Sequence, residues 1–336
     1  MAKMLSQGLK VSIVLTCIYF IFLIFNKAKL KPNSPSSKLS NQSDVNVNEV
    51  HLKDCQCSRR ISANDDPVVG FGVTTCGMDA FQRGSRQKVI SYSYFGDPQI
   101  PTQRQYFQGI ALNARRIHQL YPGWVMRVYH NLTNKAQLCN LTCHNSNLDF
   151  CDIHFNPQFG SLQSILPTIW RFVPLVDDQV SIAMFRDLDS VVSAREESAV
   201  QAWIHSKHVF HFMRDHPGHN MEILAGMWGA KVESMRNTLA KVVFQILQDR
   251  AARAQSLFHS NDQVILVKYL WEWGKDLALQ HDSYHCQDFS KTSAFPTQRE
   301  MAPNNFVGVP FVDQSSLNVS CPPKCRPRDH RNWEYC

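Results

Sequence analysis

Two carboxylates separated by one residue give the sequence its clearest chemical signal. Asp187 and Asp189 follow the apolar run Val180–Phe185 almost directly. Side chains two positions apart in an extended segment point to the same side, so both carboxylates can face one ligand. Such oxygen donors suit Mg²⁺ or Mn²⁺, whose other ligands often come from a substrate diphosphate. An Asp-x-Asp pair also serves as a local cap at a turn, and that alternative stays open.

The elements around this pair predict a sheet edge. Short runs rich in β-branched and aromatic residues predict strands at 67–74, 88–95, 124–130 and 180–185. Between them, apolar residues at helical spacing predict a helix at 104–121, and a second crossover is predicted at 162–175. Ser193 and Glu196 fit a capping box that opens a further helix through Ile204. This order predicts an α/β fold with a mostly parallel sheet flanked by helices, which binds ligands at the carboxyl ends of its strands.

The N-terminal part predicts a membrane anchor. Residues 11–25 are uncharged and apolar, and with Leu9 and Lys10 they give about 17 usable residues, or roughly 25 Å of helix. No small-x-small site follows, which disfavours the alternative of a cleaved signal peptide. The predicted layout is a cytoplasmic tail at 1–8, a transmembrane anchor at 9–26, a flexible Ser-, Asn- and Pro-rich stem at 27–65 and a lumenal body at 66–336.

Sequons favour a lumenal body. Asn41, Asn131, Asn140 and Asn318 each begin an N-x-S/T glycosylation sequon, and all four follow the anchor. We therefore predict that the chain contacts the membrane only through its N-terminal anchor.

The cysteine count supports the same compartment. Of eleven cysteines, Cys17 lies in the anchor, which leaves an even number for the rest of the chain. Two clusters have spacings like those of zinc ligands, but neither offers two close Cys/His pairs. We therefore expect disulfides formed in an oxidising compartment, with the pairing open.

The net charge excludes one class of partner. The chain carries +7, but residues 1–31 contain five lysines and no acid, which leaves 30 basic against 28 acidic residues. A nearly neutral body without a basic, aromatic-rich run predicts that it binds no nucleic acid.

Together these features resemble a Golgi-type glycosyltransferase of the nucleotide-diphospho-sugar transferase (GT-A) superfamily. Arg171-Phe-Val-Pro-Leu and the Asp-x-Asp segment are similar to the R-x-x-x-L…Y-x-D-x-D arrangement of α-mannosyltransferase and lipopolysaccharide-galactosyltransferase-like families, within a match over about residues 67–290. Asp262 and Gln263 look like their D-Q-x-x-L segment. The chain departs from the pattern at Val176-Asp-Asp-Gln and Arg186, which leaves the donor sugar open.

The resemblance implies a Mn²⁺- or Mg²⁺-dependent hexosyltransferase in the Golgi membrane, with a single-pass type II topology and a retaining mechanism. A nucleotide-diphosphate sugar would donate to a hydroxyl of a glycan or glycoprotein. The implied metal ligands are Asp187, Asp189 and His281, and the implied nucleotide contacts are Arg171 and the same two aspartates. Arg171 and His281 also fit structural roles.

The resemblance also implies that Asp262 and Gln263 contact the sugar or acceptor, although a helix cap at Ser260 accounts for them equally. The histidine-rich segment HVFHFMRDHPGH matches no zinc motif. We expect its residues, together with a nearby tryptophan, to bind the acceptor, with Asp215 positioning or deprotonating a hydroxyl; the residues are Arg214, Asp215, His216, His219 and Trp228. A polar loop, and for Trp228 a core position, are the alternatives.

Two other functions stay open. A non-catalytic, glycan-binding relative would keep the fold without turnover. A glycosidase would need two acids across a scissile bond, usually on different elements, so adjacent strand carboxylates fit a metal better.

Overall fold

The computed structural model describes residues 47–52, 55–62, 74–253, 261–303, 305–313 and 317–336. The predicted anchor at 9–26, Asn41, Ser260 and most of the predicted strand at 67–74 lie outside these residues. Within them, no helix has the length and apolar character needed to cross a membrane.

Most strands belong to one sheet. The strands are β1 (Val47–Leu52), β2 (Cys57–Ser62), β3 (Gln87–Tyr94), β4 (Trp124–His130), β5 (Leu148–Asp152), β6 (Val180–Phe185), β7 (Phe210–Arg214), β8 (Trp228–Ala230), β9 (Ala278–Asp282) and β10 (Thr292–Ser293). The large sheet has eight strands in the order β10-β9-β7-β8-β6-β3-β4-β5. All neighbours in it are parallel except β8, which is antiparallel to β6 and β7. The predicted mostly parallel sheet is confirmed.

Helices flank this sheet. They are α1 (Met78–Phe81), α2 (Pro101–Leu120), α3 (Lys135–His144), α4 (Ala194–Ile204), α5 (Val232–Gln248), α6 (Arg250–Arg253), α7 (Asn261–Leu266) and α8 (Glu272–Gly274), with 3₁₀ segments at Pro167–Val176 and Lys275–Leu277 and a π-helical turn at Val267–Trp271. Ile90 and Tyr92 of β3 pack in one core cluster, and Val89 packs in another. This alternation follows from the two-residue period of a strand that is buried on both faces.

Local sequence signals predicted several boundaries well. The strands at 124–130 and 180–185 agree with β4 and β6. Helix α2 begins at Pro101 rather than at Arg104, because proline has no N–H to leave unpaired in a first turn. Ser193 caps α4, since its hydroxyl accepts from the backbone N–H of Glu196 at 3.1 Å.

The predicted flexible stem at 27–65 needs a correction. Strands β1 and β2 pair in antiparallel register within it. Disulfides Cys55–Cys139 and Cys57–Cys143 join this hairpin to α3. Folded structure therefore begins before residue 66, because covalent links to a distant helix order a segment whose own composition is polar.

Five disulfides pair all ten cysteines of the described residues. Besides the two at the hairpin, the pairs are Cys76–Cys151, Cys286–Cys325 and Cys321–Cys336. The expectation of disulfides rather than zinc is confirmed.

A fully buried ion pair anchors the start of β6. Arg127 on β4 donates to the Asp177 carboxylate at 2.7 Å, and neither side chain is exposed. The same carboxylate accepts from the Thr75 backbone N–H at 2.7 Å. Burial alone would raise the pKa of Asp177, but Arg127 and these hydrogen bonds hold it below its usual value. Asp177 is one of the residues at which the chain departs from the family pattern, and its role is structural.

We expect Asp177→Asn to lower the free energy of unfolding by about 3–5 kcal/mol, because it leaves the Arg127 charge buried without a partner. Asp276→Asn is the matched control. It breaks the Asp276–Lys291 pair, whose side chains are 61% and 67% exposed, and it should cost less than about 1 kcal/mol. Urea denaturation measures both variants, and equal losses would contradict the structural role of Asp177.

Candidate active site

The Asp-x-Asp pair lies at the carboxyl end of β6. Asp187 is the first residue of the turn after Arg186, and its side chain is 51% exposed. The turn is closed by a hydrogen bond from the Ser190 N–H to the Asp187 carbonyl at 3.2 Å. A second bond, from the Phe311 N–H to the Asp189 carbonyl at 2.7 Å, ties the turn to the C-terminal region. Both carboxylates are therefore held on a short, fastened segment.

Two glycines let other elements approach this turn closely. A Cβ at Gly109 on α2 would lie 1.8 Å from the Leu188 carbonyl oxygen. A Cβ at Gly226 would lie 1.8 Å from Oδ2 of Asp187. A larger residue at Gly109 would displace the backbone of the turn, and one at Gly226 would displace the Asp187 side chain, because real Cβ contacts are essentially never that short.

Arg171 links the Asp-x-Asp pair to a third carboxylate. Its guanidinium donates to Asp187 and, at 2.7 Å, to Asp262 on α7. The side chain of Arg171 is almost fully buried, and that of Asp262 is 8% exposed. Burial opposes the charge of Arg171, but the two aspartates outweigh it and raise its pKa. The sequence indicated either a nucleotide contact or a structural role for Arg171, and in the structure its guanidinium is bonded to Asp187 and Asp262.

Arg186, the other departure from the family pattern, is structural. It donates to Glu196 at 2.7 Å and to the Trp228 carbonyl at 2.9 Å. The Arg186 charge is therefore neutralised by Glu196, away from the clefts, and Arg186 does not pair with the carboxylates of the turn.

Two adjoining clefts meet at Arg171 and Asp187. The first, the β7-side cleft, has a volume of about 660 Å³ and is bordered by His219, Asn220, Met227, Asp262 and Gln263. The second, the β3-side cleft, has a volume of about 430 Å³ and is bordered by Tyr94, Gln103, Tyr106, Leu188 and Asp189. One turn therefore presents its carboxylates between two spaces, each large enough for part of a ligand.

Each cleft contains a buried polar atom that needs a partner. Oε1 of Gln263 and the hydroxyl of Tyr94 are buried, and neither has a hydrogen-bond partner within the described part of the chain. A buried polar group without a partner is costly, so ligand groups that complete these bonds would be favoured. Burial raises the pKa of Tyr94 to about 12, so its hydroxyl is protonated at neutral pH.

His219 presents a donor to the β7-side cleft. Its Nδ1 accepts from the Asp215 N–H at 3.1 Å. Burial lowers the pKa of His219 to about 4, so the ring is neutral at pH 7 and this bond places its proton on Nε2. His216 stacks near Phe306, with ring centroids 4.7 Å apart, and lies beside the cleft rather than in its lining.

Three residues predicted to bind the acceptor are structural instead. Arg214 is fully buried and donates to Asp282 at 2.6 Å. Asp215 is also fully buried, and Arg195 donates to both of its oxygens at 2.8 Å. Trp228 fills the core against Phe185, with ring centroids 4.3 Å apart. None of these side chains has surface for a substrate, so the predicted roles need correction.

His281 does not join the two aspartates. It lies on β9, and its ring shares a hydrogen bond of 2.8 Å with the buried ring of His211. Across the described ranges, no three His, Cys, Asp or Glu side chains converge as a metal site. Burial lowers the pKa of His281 to about 3. The protein groups near a bound ion would thus be Asp187 and Asp189.

A larger cavity lies elsewhere and offers less chemistry. It has a volume of about 790 Å³ and lies at the ends of β4 and β5. Its Asp149 is bonded to Arg59 and Arg83 at 2.7 Å, and its Asp152 is bonded to His154 at 2.7 Å. These two carboxylates already have side-chain partners, so we place the candidate site at Asp187.

Sequence reasoning predicted Arg171, Asp187 and Asp189 but missed three other residues of the β3-side cleft, Tyr94, Gln103 and Tyr106. Tyr94 ends β3, and the rule that ligands bind at carboxyl ends applies to that strand as it does to β6. Tyr106 and Gln103 lie on α2, and only the packing of that helix brings them to the site. Gly226 carries no recognisable signal, because its need for a small side chain comes from Asp187, which is distant in sequence.

No protein-family model and no curated protein matches the chain. Among solved structures it is similar to the glycosyltransferase GlyE of Streptococcus pneumoniae TIGR4, with 9% identity and a TM-score of 0.39, over 60% of this chain and 47% of that chain. It is also similar to S. aureus TarS 1-349, with 12% identity and a TM-score of 0.34, over 55% and 56% of the two chains. The chain spans about half the length of these structures.

Among the described residues, no salt bridge pairs Asp189 with a cation, whereas the buried Asp177, Asp215 and Asp282 each pair with an arginine. Burial, and then the charge of Asp187, raise the pKa of Asp189 from 3.8 to about 6. Between about pH 4 and pH 6, the Asp189 carboxyl group is therefore protonated in the folded protein and ionised in the unfolded chain. The free energy of unfolding falls as the pH rises through this range and above it, because the folded protein must then hold the ionised carboxylate.

We expect Asp189→Asn to melt close to the wild type at pH 4 and several degrees higher at pH 7.5, in metal-free buffer with a chelator. The asparagine removes a carboxylate whose cost at pH 7.5 is roughly 1–3 kcal/mol. Thermal melts at the two pH values measure the difference. A difference that does not change with pH would contradict the raised pKa.

Proposed function

We propose that the protein is a metal-dependent glycosyltransferase that moves a hexose from a nucleotide-diphosphate sugar to a hydroxyl of a glycan or glycoprotein. The observation that carries the proposal is the placement of Asp187 and Asp189 between two clefts at the carboxyl edge of the sheet. Family resemblance in the sequence supports the same reaction and implies retention at the transferred sugar.

The donor set fits a divalent cation with a diphosphate. Asp187 has one oxygen on Arg171 and a half-exposed side chain, and Asp189 has no salt bridge to a cation in the described residues. Mg²⁺ and Mn²⁺ are commonly held by one or two carboxylates and take further oxygens from phosphates and water. Asp187 and Asp189 would hold the ion, which would neutralise the diphosphate as it leaves.

We assign the nucleotide to the β3-side cleft. Tyr106 offers an aromatic face there, at 38% exposure, and the Tyr94 hydroxyl offers the unpaired donor. A base or ribose that accepts from Tyr94 would satisfy that group. This orientation directs the diphosphate to the turn, where Asp189 borders the same cleft.

The β7-side cleft would then take the transferred sugar and the acceptor. Gln263 Oε1 accepts from a sugar hydroxyl, and His219 Nε2 donates to a sugar oxygen. Asp262 is held in place by Arg171, at 2.7 Å. Both carboxylates lining this cleft are bonded to Arg171, so the cleft does not hold the two free acids across a scissile bond that a glycosidase requires.

The donor can be identified by thermal shift on the full chain purified in detergent, with UDP- and GDP-sugars and with or without Mn²⁺. A donor at 100 times its Kd should add about 2.7 kcal/mol to the free energy of unfolding, or a few degrees in Tm. We expect a shift that needs both Mn²⁺ and one nucleotide class, and release of the nucleoside diphosphate when a suitable acceptor is added.

Two variants and one control make this test specific. Asp189→Asn removes a ligand, and Gly226→Ala displaces Asp187, so both should lose the Mn²⁺-dependent shift. Gly77→Ala should keep it, because a Cβ there meets no atom within 4 Å. A cooperatively melting wild type that responds to no donor would contradict the proposal and favour the non-catalytic glycan-binding relative.

We also propose that the body lies in the lumen of the secretory pathway, with the Golgi membrane as its site. Five disulfides support an oxidising compartment. The sequons support it as well, since Asn140 on α3 and Asn318 are exposed. Asn131 differs, because the residue is only partly exposed and its amide oxygen is buried. Co-localisation of the full chain with a Golgi marker tests the organelle.

We expect glycans on Asn318 and Asn140 and none on Asn131 when the full chain is expressed in animal cells. Asn318→Gln and Ser320→Ala should each remove one glycan's mass, because both destroy the same sequon. Asn131→Gln should change nothing. Gel mobility before and after enzymatic deglycosylation measures this, and an unglycosylated wild type would contradict the lumenal placement.

A further inference from the structure

A cluster of four cationic side chains lies near the C-terminus. Lys324, Arg326, Arg328 and Arg331 fall within eight residues that contain one acid, Asp329. Across the described part of the chain, no salt bridge neutralises any of the four cations. Lys324, Arg328 and Arg331 are exposed.

The segment that carries these cations is fixed in place. Disulfides Cys286–Cys325 and Cys321–Cys336 attach it to the body. Arg326 and Arg331 each donate to the other's backbone carbonyl at 3.2 Å. Like charges are thus held close together, with no salt bridge to an acid in the described part of the chain, and their repulsion costs free energy that a bound anion would recover.

A cavity of about 640 Å³ lies beside these cations, and we call it the C-terminal basic cavity. Its lining includes Ser293 and Phe295 from β10 and the residues after it. Trp333 also lines it and stacks on His330, with ring centroids 4.2 Å apart and planes within 8°. A flat aromatic surface next to guanidinium groups suits a ring that carries carboxylates or sulfates.

The sheet places this cavity on the same edge as the candidate active site. Strands β6, β7, β9 and β10 all run in the same direction, so the carboxyl end of β10 faces the same way as that of β6. Four strand spacings separate β6 from β10 in the order β6-β8-β7-β9-β10, or roughly 19 Å. An oligosaccharide of several sugars is long enough to reach both.

We propose that the C-terminal basic cavity binds an acidic part of the acceptor glycan, at a distance from the hydroxyl that is glycosylated. This assignment rests on the proposed function and adds the chemical class of the acceptor. Guanidinium and ammonium groups contact the carboxylates or sulfates, and the Trp333–His330 pair packs on the sugar ring.

Calorimetric titration of the full chain in detergent, without donor or Mn²⁺, tests this assignment. The probes are a heparin hexasaccharide, with sulfates and carboxylates, a heparosan hexasaccharide, with carboxylates only, neutral maltohexaose, and hexaglutamate. We expect an anionic hexasaccharide to bind, with affinity falling as salt rises, and maltohexaose not to bind. Comparison of the first two probes shows whether sulfate is required.

The variants distinguish glycan binding in the C-terminal basic cavity from a general attraction to the protein's positive charge. Lys324→Gln/Arg328→Gln should weaken glycan binding about tenfold or more, and Trp333→Leu should weaken it at unchanged charge. Arg115→Gln/Lys241→Gln removes two exposed cations from α2 and α5 and should leave the affinity within about twofold.

Equal weakening by both double variants would overturn the proposal, as would wild-type affinity in the first double variant or in Trp333→Leu. Hexaglutamate binding as tightly as the glycan would overturn it in favour of an acidic protein partner. The titration contains no donor, so its result is independent of the thermal-shift test. Donor binding without glycan binding would refute this inference alone.

Discussion

The candidate site depends on one buried guanidinium. Arg171 holds Asp187 after β6 and Asp262 on α7, two carboxylates that would otherwise repel each other. Its own backbone is fixed to β3, because Ser91 donates to its carbonyl at 2.7 Å and Ser93 accepts from its N–H at 3.0 Å. A planar guanidinium can serve two carboxylates in fixed geometry, which a lysine cannot do. One side chain therefore sets the relative position of three elements around the clefts.

Close packing also holds the Asp187–Asp189 turn in place. Gly109 and Gly226 bring α2 and the segment before β8 against the Asp187–Asp189 turn, and the Phe311 N–H ties the turn from the C-terminal side. Such contacts leave the turn few alternative conformations, so both carboxylates are arranged before a ligand arrives. Preorganisation of this kind lowers the cost of ordering the site when it binds.

The distribution of charge separates structural acids from those of the candidate site. Asp177, Asp215 and Asp282 are fully buried, and each is bonded to an arginine. Asp189 is partly buried beside Asp187, and no such bond neutralises it within the described ranges. Acids with strongly shifted pKa values are common at functional sites, and this one supports the cation site that we propose at the turn.

The sequence by itself determined the features that depend on neighbouring residues. It predicted β6, the carboxylates at its end, the Ser193 cap and the use of cysteines in disulfides, because strand period, chain direction and capping are local. Only the tertiary structure decided which polar residues face a ligand. Arg214 and Asp282 are 68 residues apart, and Cys55 and Cys139 are 84 apart. Nothing in the local sequence reveals such partners, so the burial of Asp215 and Trp228 and the folded hairpin within the predicted stem became visible only when distant segments packed together.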